Sequence, residues 1–194
     1  ATIRGNAQAL LTAERVALNV VQRMCGIAGM TAEYVRAIDG TGATLIDTRK
    51  TTPGLRMIEK YAFVCGGGRS HRLGLDNGIM LKDNHIAVAG SIANAVKHAK
   101  AHAPVLTKIE VECDRIEQVE EALASGADVI MLDNMTNDNM RDSVKLVNKR
   151  VPLECSGGVK LDTIRGKAET GVDFISVGRI TQSATCVDIG LDEA

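Results

Sequence analysis

Aromatic residues are almost missing from this 194-residue chain: they make up 2% of it, with no Trp, two Tyr and two Phe. There is therefore little for nucleic-acid bases to stack on, and a formal net charge of −1 leaves no general basic surface for a phosphate backbone. Both absences argue against a nucleic-acid partner. Paired cysteine spacings are lacking too. The five cysteines (Cys25, Cys65, Cys113, Cys155, Cys186) are odd in number and tens of residues apart, without C-x-x-C or zinc spacing. That pattern fits a reduced, cytoplasmic protein better than a disulfide scaffold or a zinc module. No apolar run is long enough to span a bilayer and no signal peptide opens the chain, so no membrane partner is expected. The chain also starts without Met and without an obvious first strand, as a piece of a longer polypeptide does. What is present is 45% apolar, ample for a core of Val, Ile, Leu, Ala and Met in one domain or one and a fraction.

The hydrophobic pattern predicts a helix from Thr12, with Thr12 as N-cap, stopping before Gly26, and a second over 31–38. A strand over 43–47, a helix over 55–64, a short buried strand over 79–81 and a helix over 91–101 follow. From there the rhythm is regular. Strands are predicted at 109–112, 129–132, 153–155 and 174–177, with helices to Ala124, over 139–148 and over 162–169. Asp114 and Glu117 carry a capping-box signature. The runs Gly126-Ala127-Asp128-Val129-Ile130-Met131-Leu132-Asp133 and Gly171-Val172-Asp173-Phe174-Ile175-Ser176-Val177-Gly178 are alike: a helix-ending Gly, a small apolar residue, an Asp and a strand. Repeated strand–helix units with nearly continuous apolar strands predict a parallel sheet covered by helices. The fold class expected is α/β, a partial (β/α) TIM-like barrel with about six parallel strands. Residues 1–30 read as a connecting helical segment and 31–194 as the barrel.

Polar residues cluster where such a barrel would use them. From Arg49 to Lys82 there are seven Lys/Arg against two acids, Glu59 and Asp76, a local excess of five positive charges. Arg49, Lys50, His71, Arg72 and Lys82 fall at strand ends and Gly-rich turns, which suggests a pocket for a compact polyanion. Arg56 and Lys60, on a predicted helix, read as solvated surface. Arg49-Lys50, Lys82, Glu112, Asp133, Ser156-Gly157 and Gly178 each follow the apolar part of a different strand. In a barrel those ends converge on one face; in an open doubly wound sheet they spread along a crevice. Glu112 and Asp133 either cap the helices that follow or sit together in a barrel mouth, where they suit Mg²⁺ and sugar hydroxyls. Glu110 shares a side of its strand with Glu112, so one of the two stands behind the other. Ser156-Gly157-Gly158 and Gly178 fit the phosphate site that barrels build from their last strands, against the plainer reading of two turns. His98 and His102 are four apart on a helix, but Ala99 stands where a metalloprotease motif has Glu, so they read as an exposed face. Gly66-Gly67-Gly68 lacks the Lys-Ser/Thr of a P-loop.

Taken together, Leu10-Leu11-Thr12-Ala13-Glu14-Arg15, Thr48-Arg49-Lys50-Thr51-Thr52-Pro53-Gly54, Ser70-His71-Arg72, Lys82-Asp83-Asn84-His85, Glu110-Val111-Glu112, Leu132-Asp133-Asn134, Ser156-Gly157-Gly158 and Ser176-Val177-Gly178 resemble the quinolinate phosphoribosyltransferase family. The resemblance runs through nearly the whole chain in the family's order. It implies a partial barrel working as a homodimer or higher homo-oligomer, with an N-terminal α/β domain largely missing here. The implied reaction joins quinolinate to phosphoribosyl pyrophosphate with Mg²⁺, giving nicotinate mononucleotide, pyrophosphate and CO₂. Arg49, His71, Arg72 and Lys82 match positions that hold the pyridine dicarboxylate, and Arg15 one that reaches a neighbouring subunit's site. Lys50 matches a pyrophosphate contact, and Glu112 and Asp133 the ribose and metal contacts. Ser156, Gly157, Gly158 and Gly178 match the 5′-phosphate loop. Lys82, Glu112 and Asp133 are the residues expected to act in catalysis. Cys25 stands where the family usually has Ser, and Gln182 where some members have His. Two other classes fit part of the pattern: another phosphate-binding barrel, a lyase or isomerase, and a non-catalytic relative serving as a binding module.

Overall fold

The computed structural model describes residues 2–192. It opens with one long helix, α1 (Ala7–Ala37), where the sequence pattern predicts two. Asn6 is its N-cap, accepting from the Ala9 amide at 3.1 Å. Thr12 lies inside the helix, its hydroxyl donating to the Gln8 carbonyl at 2.7 Å. Gly26 does not break the helix because it serves another purpose. The chain near Thr185 passes so close that a Cβ at Gly26 would lie 2.0 Å from the Thr185 carbonyl oxygen. Helix packing, not turn formation, requires glycine there. The boundary drawn at residue 30 falls within α1.

The remaining elements are β1 (Thr44–Ile46), α2 (Arg56–Cys65), β2 (Ile79–Leu81), α3 (Asp83–Ala89), α4 (Ile92–His102), β3 (Ile109–Cys113), α5 (Ile116–Ala124), β4 (Val129–Asp133), α6 (Asn137–Val147), β5 (Leu153–Ser156), α7 (Ile164–Ala168), β6 (Phe174–Ser176) and α8 (Gly178–Gln182). Helix α3 is an addition to the expected set. Its first turn is closed by His85 Nδ1, which accepts from the Lys82 amide at 3.0 Å. The Asp114/Glu117 capping box does not form. Arg115 occupies the N-cap of α5 without a side-chain cap, and Gln118 accepts from the Asp114 amide at 2.8 Å instead.

All six strands are parallel, in the order β1-β6-β5-β4-β3-β2. Around a ring this is simple sequence order. The last strand pairs with the first, and the one seam lies between β1 and β2. On the seam side of β1, Arg69 makes an isolated parallel bridge to Ile46, with its amide donating to the Leu45 carbonyl at 2.9 Å. The fold is thus an α/β partial barrel, open at one seam. The two similar runs are built alike. Asp128 Oδ2 accepts from the first amide of β3 (Ile109, 2.8 Å), and Asp173 Oδ2 from the first amide of β5 (Leu153, 2.8 Å).

Strand alternation then sorts the side chains. Val111, Cys113, Ile130, Leu132, Cys155 and Ile175 are wholly buried in the core that the helices cover. The opposite face carries Glu110, Glu112, Met131, Asp133, Glu154, Ser156 and Ser176. The barrel interior is therefore polar at its C-terminal end. Among the described residues no helix is long and apolar enough to cross a membrane.

Candidate active site

A cavity of about 840 Å³ opens at the C-terminal ends of the strands. Arg49, Lys50, His71, Arg72, Lys82, Glu112, Asp133, Ser156, Gly157, Gly158 and Gly178 all line it. The six strand ends do converge, and Arg72 and Asp133 share one wall-to-wall space. Arg15 does not belong to it: it lies exposed on α1. Gln182 lines the cavity, whereas Cys25 does not. His98 and His102 are exposed on α4, their only link being His102 Nδ1 to the His98 carbonyl at 2.9 Å.

The basic wall is held by its backbone. Thr181 Oγ1 donates to the Lys50 carbonyl at 2.7 Å, and Arg56 donates to Thr51 Oγ1 at 3.0 Å and to the Arg49 carbonyl at 3.4 Å. Behind this loop lies Glu59, fully buried. It accepts from the Thr52 amide (3.1 Å), the Thr52 hydroxyl (2.8 Å) and Arg23 (3.1 Å). Lys60 is buried as well and pairs with Asp47. Arg56 and Lys60 are therefore not solvated surface. A helix packed against a polar barrel rim turns charged side chains inward when partners await them there. Arg72 donates to the Gly78 carbonyl at 3.0 Å. Burial and then the neighbouring Arg49 hold its pKa below the ordinary arginine range. Arg49 Nε is buried with no hydrogen-bond partner. Two like charges this close, one with an orphaned donor, make a place for an anion.

On the acidic wall, Glu112 is paired with Lys82, with side chains 16% and 43% exposed. The β3–β4 register sets Glu112 opposite Met131, so Asp133 lies one pleat further on the same face. Asp133 accepts from Asn134 Nδ2 at 2.7 Å. These two carboxylates could share a hard cation directly or through water. Asn134 has φ +54°, and its amide donates to the Ser156 carbonyl at 3.0 Å. Opposite it, Gly157 has φ +86°, and a Cβ there would fall 2.2 Å from Asn134 Oδ1. Glycine is required twice over, by conformation and by space. At Gly178 a Cβ would come within 2.8 Å of Lys50 Cδ. Bare backbone thus lies against the Lys50 side chain, which suits a phosphate.

Of the layer beneath, sequence reasoning found His71 and Glu110 but missed Glu154 and the pairing among the three. His71 Nε2 lies 3.2 Å from Glu110 Oε2 and 3.4 Å from Glu154 Oε2. These donors all fall within 4.8 Å of one another, the spacing of a metal site, but the cluster carries its own cation. Burial alone would lower the His71 pKa. Its two glutamate neighbours outweigh that and raise it to about 10. Burial, opposed in part by His71, pushes Glu154 up to about 7. Asp47, also missed, accepts from the His71 amide at 2.8 Å and from Ser70 Oγ at 3.2 Å. The signal for Glu154 was visible: a lone carboxylate inside the apolar strand Leu153-Glu154-Cys155.

The C-terminal domain model of the quinolinate phosphoribosyl transferase family matches residues 27–192. A probable nicotinate-nucleotide pyrophosphorylase [carboxylating] from Bacillus subtilis is 50% identical over 192 residues, 99% of this chain and 66% of the relative. The human nicotinate-nucleotide pyrophosphorylase [carboxylating] is 40% identical over 196 residues, 98% of this chain and 66% of the relative. The crystal structure of NadC from Streptococcus pyogenes superposes with a TM-score of 0.91 at 46% identity, covering 95% of this chain and 65% of that one. The chain spans just under two thirds of the length of these relatives.

Proposed function

Since the chain belongs to the quinolinate phosphoribosyltransferase family, over that family's C-terminal domain, we propose that its cavity transfers phosphoribose from phosphoribosyl pyrophosphate to quinolinate. The products are nicotinate mononucleotide, pyrophosphate and CO₂, and the reaction serves NAD synthesis in the cytoplasm. One observation carries the reading. Arg49, His71 and Arg72 meet in the same cavity as Glu112, Asp133 and the glycine backbone of Gly157, Gly158 and Gly178, so one cavity offers cations to a dianionic acid and carboxylates and bare backbone to a sugar phosphate.

In this mechanism the cations grip the two carboxylates of the pyridine and hold its nitrogen in line with C1 of the ribose. The bond from C1 to pyrophosphate breaks as the nitrogen–C1 bond forms. Positive charge grows on the sugar ring, and Glu112 and Asp133 stabilise it electrostatically. The ring nitrogen, now cationic, is the electron sink when the adjacent C–CO₂ bond breaks. The electron pair stays on the ring carbon, which takes a proton from solvent. Glu112 and Asp133, an all-oxygen donor set, would hold Mg²⁺. When bound, that ion neutralises charge on the leaving pyrophosphate.

Arg15 lies exposed on α1 beside Leu11 and Val16, which are 74% and 69% exposed. These exposed apolar side chains on either side of Arg15 support a homodimer in which Arg15 completes the partner's site. The part of α1 before residue 31 would connect to an N-terminal domain, with 31–194 as the catalytic barrel. Release of CO₂ from carboxyl-labelled quinolinate, with phosphoribosyl pyrophosphate and Mg²⁺, tests the reading on the protein at its natural length. Transfer to nicotinate with none to quinolinate would refute it.

A further inference from the structure

Beneath the basic wall sits a buried group that the reaction as written does not use. Glu110 (β3) and Glu154 (β5) are 5% and 1% exposed, and both face Nε2 of His71. We propose that these two glutamates are positioning residues that clamp His71 at Nε2, so that its second ring nitrogen, Nδ1, presents a fixed cationic N–H to a substrate carboxylate. The proposal rests on the quinolinate reading above and deepens it.

The two ring nitrogens of a histidine are distinct, and the bond at one sets what the other can do. A neutral imidazole with its proton on Nε2 would keep a lone pair on Nδ1, and a lone pair repels a carboxylate. Only the imidazolium donates from both nitrogens. Two buried carboxylates on one nitrogen enforce that form, with Arg72 the other cation whose charge they feel. The contacts of 3.2 and 3.4 Å are long for hydrogen bonds, and Glu154 Oε2 and Glu110 Oε1 have no hydrogen-bond partner. Charge, more than bond geometry, therefore holds the ring. Burying two poorly satisfied carboxylates inside a barrel is unfavourable unless they serve a site.

The groups around the ring fit this role. From the end of β1, Asp47 fixes the His71 amide and is itself paired with Lys60 of α2. Ser176 of β6 partly offsets the burial of Glu154. Arg72 and Arg49 stand on the cavity side, where they repel each other while the same two glutamates draw Arg72. An anion arriving there relieves that repulsion. The glutamates keep the ring charged, so the sign runs one way. His71 is charged below about pH 10, and its share of carboxylate binding is lost only as pH rises through that value.

The test follows the ring itself. The chain has four histidines. With their imidazole nitrogens ¹⁵N-labelled, His71 is assigned by its loss in His71→Asn and titrated from pH 6 to 11. The expected result is a His71 imidazolium persisting beyond pH 9. In Glu154→Gln its midpoint falls by at least one pH unit, and quinolinate binding at pH 8.5 weakens about tenfold or more, while inorganic pyrophosphate binds as before. A wild-type His71 that is neutral at pH 8 overturns the proposal, whether or not Glu154→Gln folds. So does a Glu154→Gln midpoint that does not move. The NMR readout needs no turnover. If quinolinate fails to bind wild type while His71 stays charged, the functional reading falls and the clamp remains.

Discussion

Arg23→Met removes one cation from α1 and leaves its aliphatic volume, and its effect can be worked from the structure. Arg23 meets Glu59 of α2 at 3.1 Å and also donates to the carbonyls of Thr181 and Ala184, at 2.7 Å for the latter. Glu59 is fully buried, so without Arg23 it keeps only the two donors of Thr52 and no counter-charge. Stranding one member of a buried pair costs about 3–5 kcal/mol. The carbonyls of Thr181 and Ala184 lose this donor as well, and both residues are buried, which adds to the loss. For a chain of this size about 3 kcal/mol corresponds to a fall in Tm of roughly 10 °C. Differential scanning calorimetry at neutral pH measures it. Arg23→Met with Glu59→Gln, which removes both charges, should recover more than half of the loss. A single variant within about 2 °C of wild type, or a double variant less stable than the single, would refute the reasoning that charge stranding dominates. The same variant should loosen Thr52 and the adjoining Arg49-Lys50 turn, seen as faster amide exchange there.

Three further outcomes can be checked directly. Arg72→Ala should weaken quinolinate binding by about 10–100-fold with little change in kcat, whereas Glu112→Ala should lower kcat by about 100-fold; steady-state kinetics separate the two. Gly157→Ala should cost about 2–4 kcal/mol in a denaturant titration, because it forces a left-handed φ on alanine and drives a Cβ into Asn134. Burial above all pushes the Cys113 thiol up to about 12 and the Cys155 thiol up to about 11. Iodoacetamide at pH 8, read by mass spectrometry, should therefore modify the exposed Cys25, Cys65 and Cys186 and spare those two until the protein is denatured.

Strand positions were legible in the sequence because parallel strands buried on both faces are short apolar runs ended by glycine or a charge. The same rule placed Lys82, Glu112, Asp133 and Gly178 at strand ends, and the cavity contains all of them. What was not legible depended on tertiary neighbours. Gly26 looks like a helix stop until Thr185 is seen pressed against it. Lys60 looks solvated until Asp47 is seen facing it from the next layer. Glu154 belongs to a strand whose other residues are core, and its partner His71 arrives from a loop far away in sequence. Periodicity reports which face a residue occupies; it is silent on a charge paired across the barrel.

Why the barrel tolerates so many interior charges follows from how they are divided. Asp47 is matched by Lys60, and Glu110 and Glu154 share the His71 imidazolium. At the rim, Lys82 is matched by Glu112. Arg49 and Arg72 have no ion-pair partner in contact among the described residues: Arg72 holds the Gly78 carbonyl and feels Glu110 and Glu154 only at longer range, and Arg49 Nε holds nothing. Positive charge is thus left unmatched at one place, over a layer that keeps a third cation, His71, from neutralising. A dianionic ring relieves more repulsion there than a monoanion can. In the proposed reaction, selectivity for a dicarboxylate would then arise from fields already set by the fold, before any contact with the substrate adjusts.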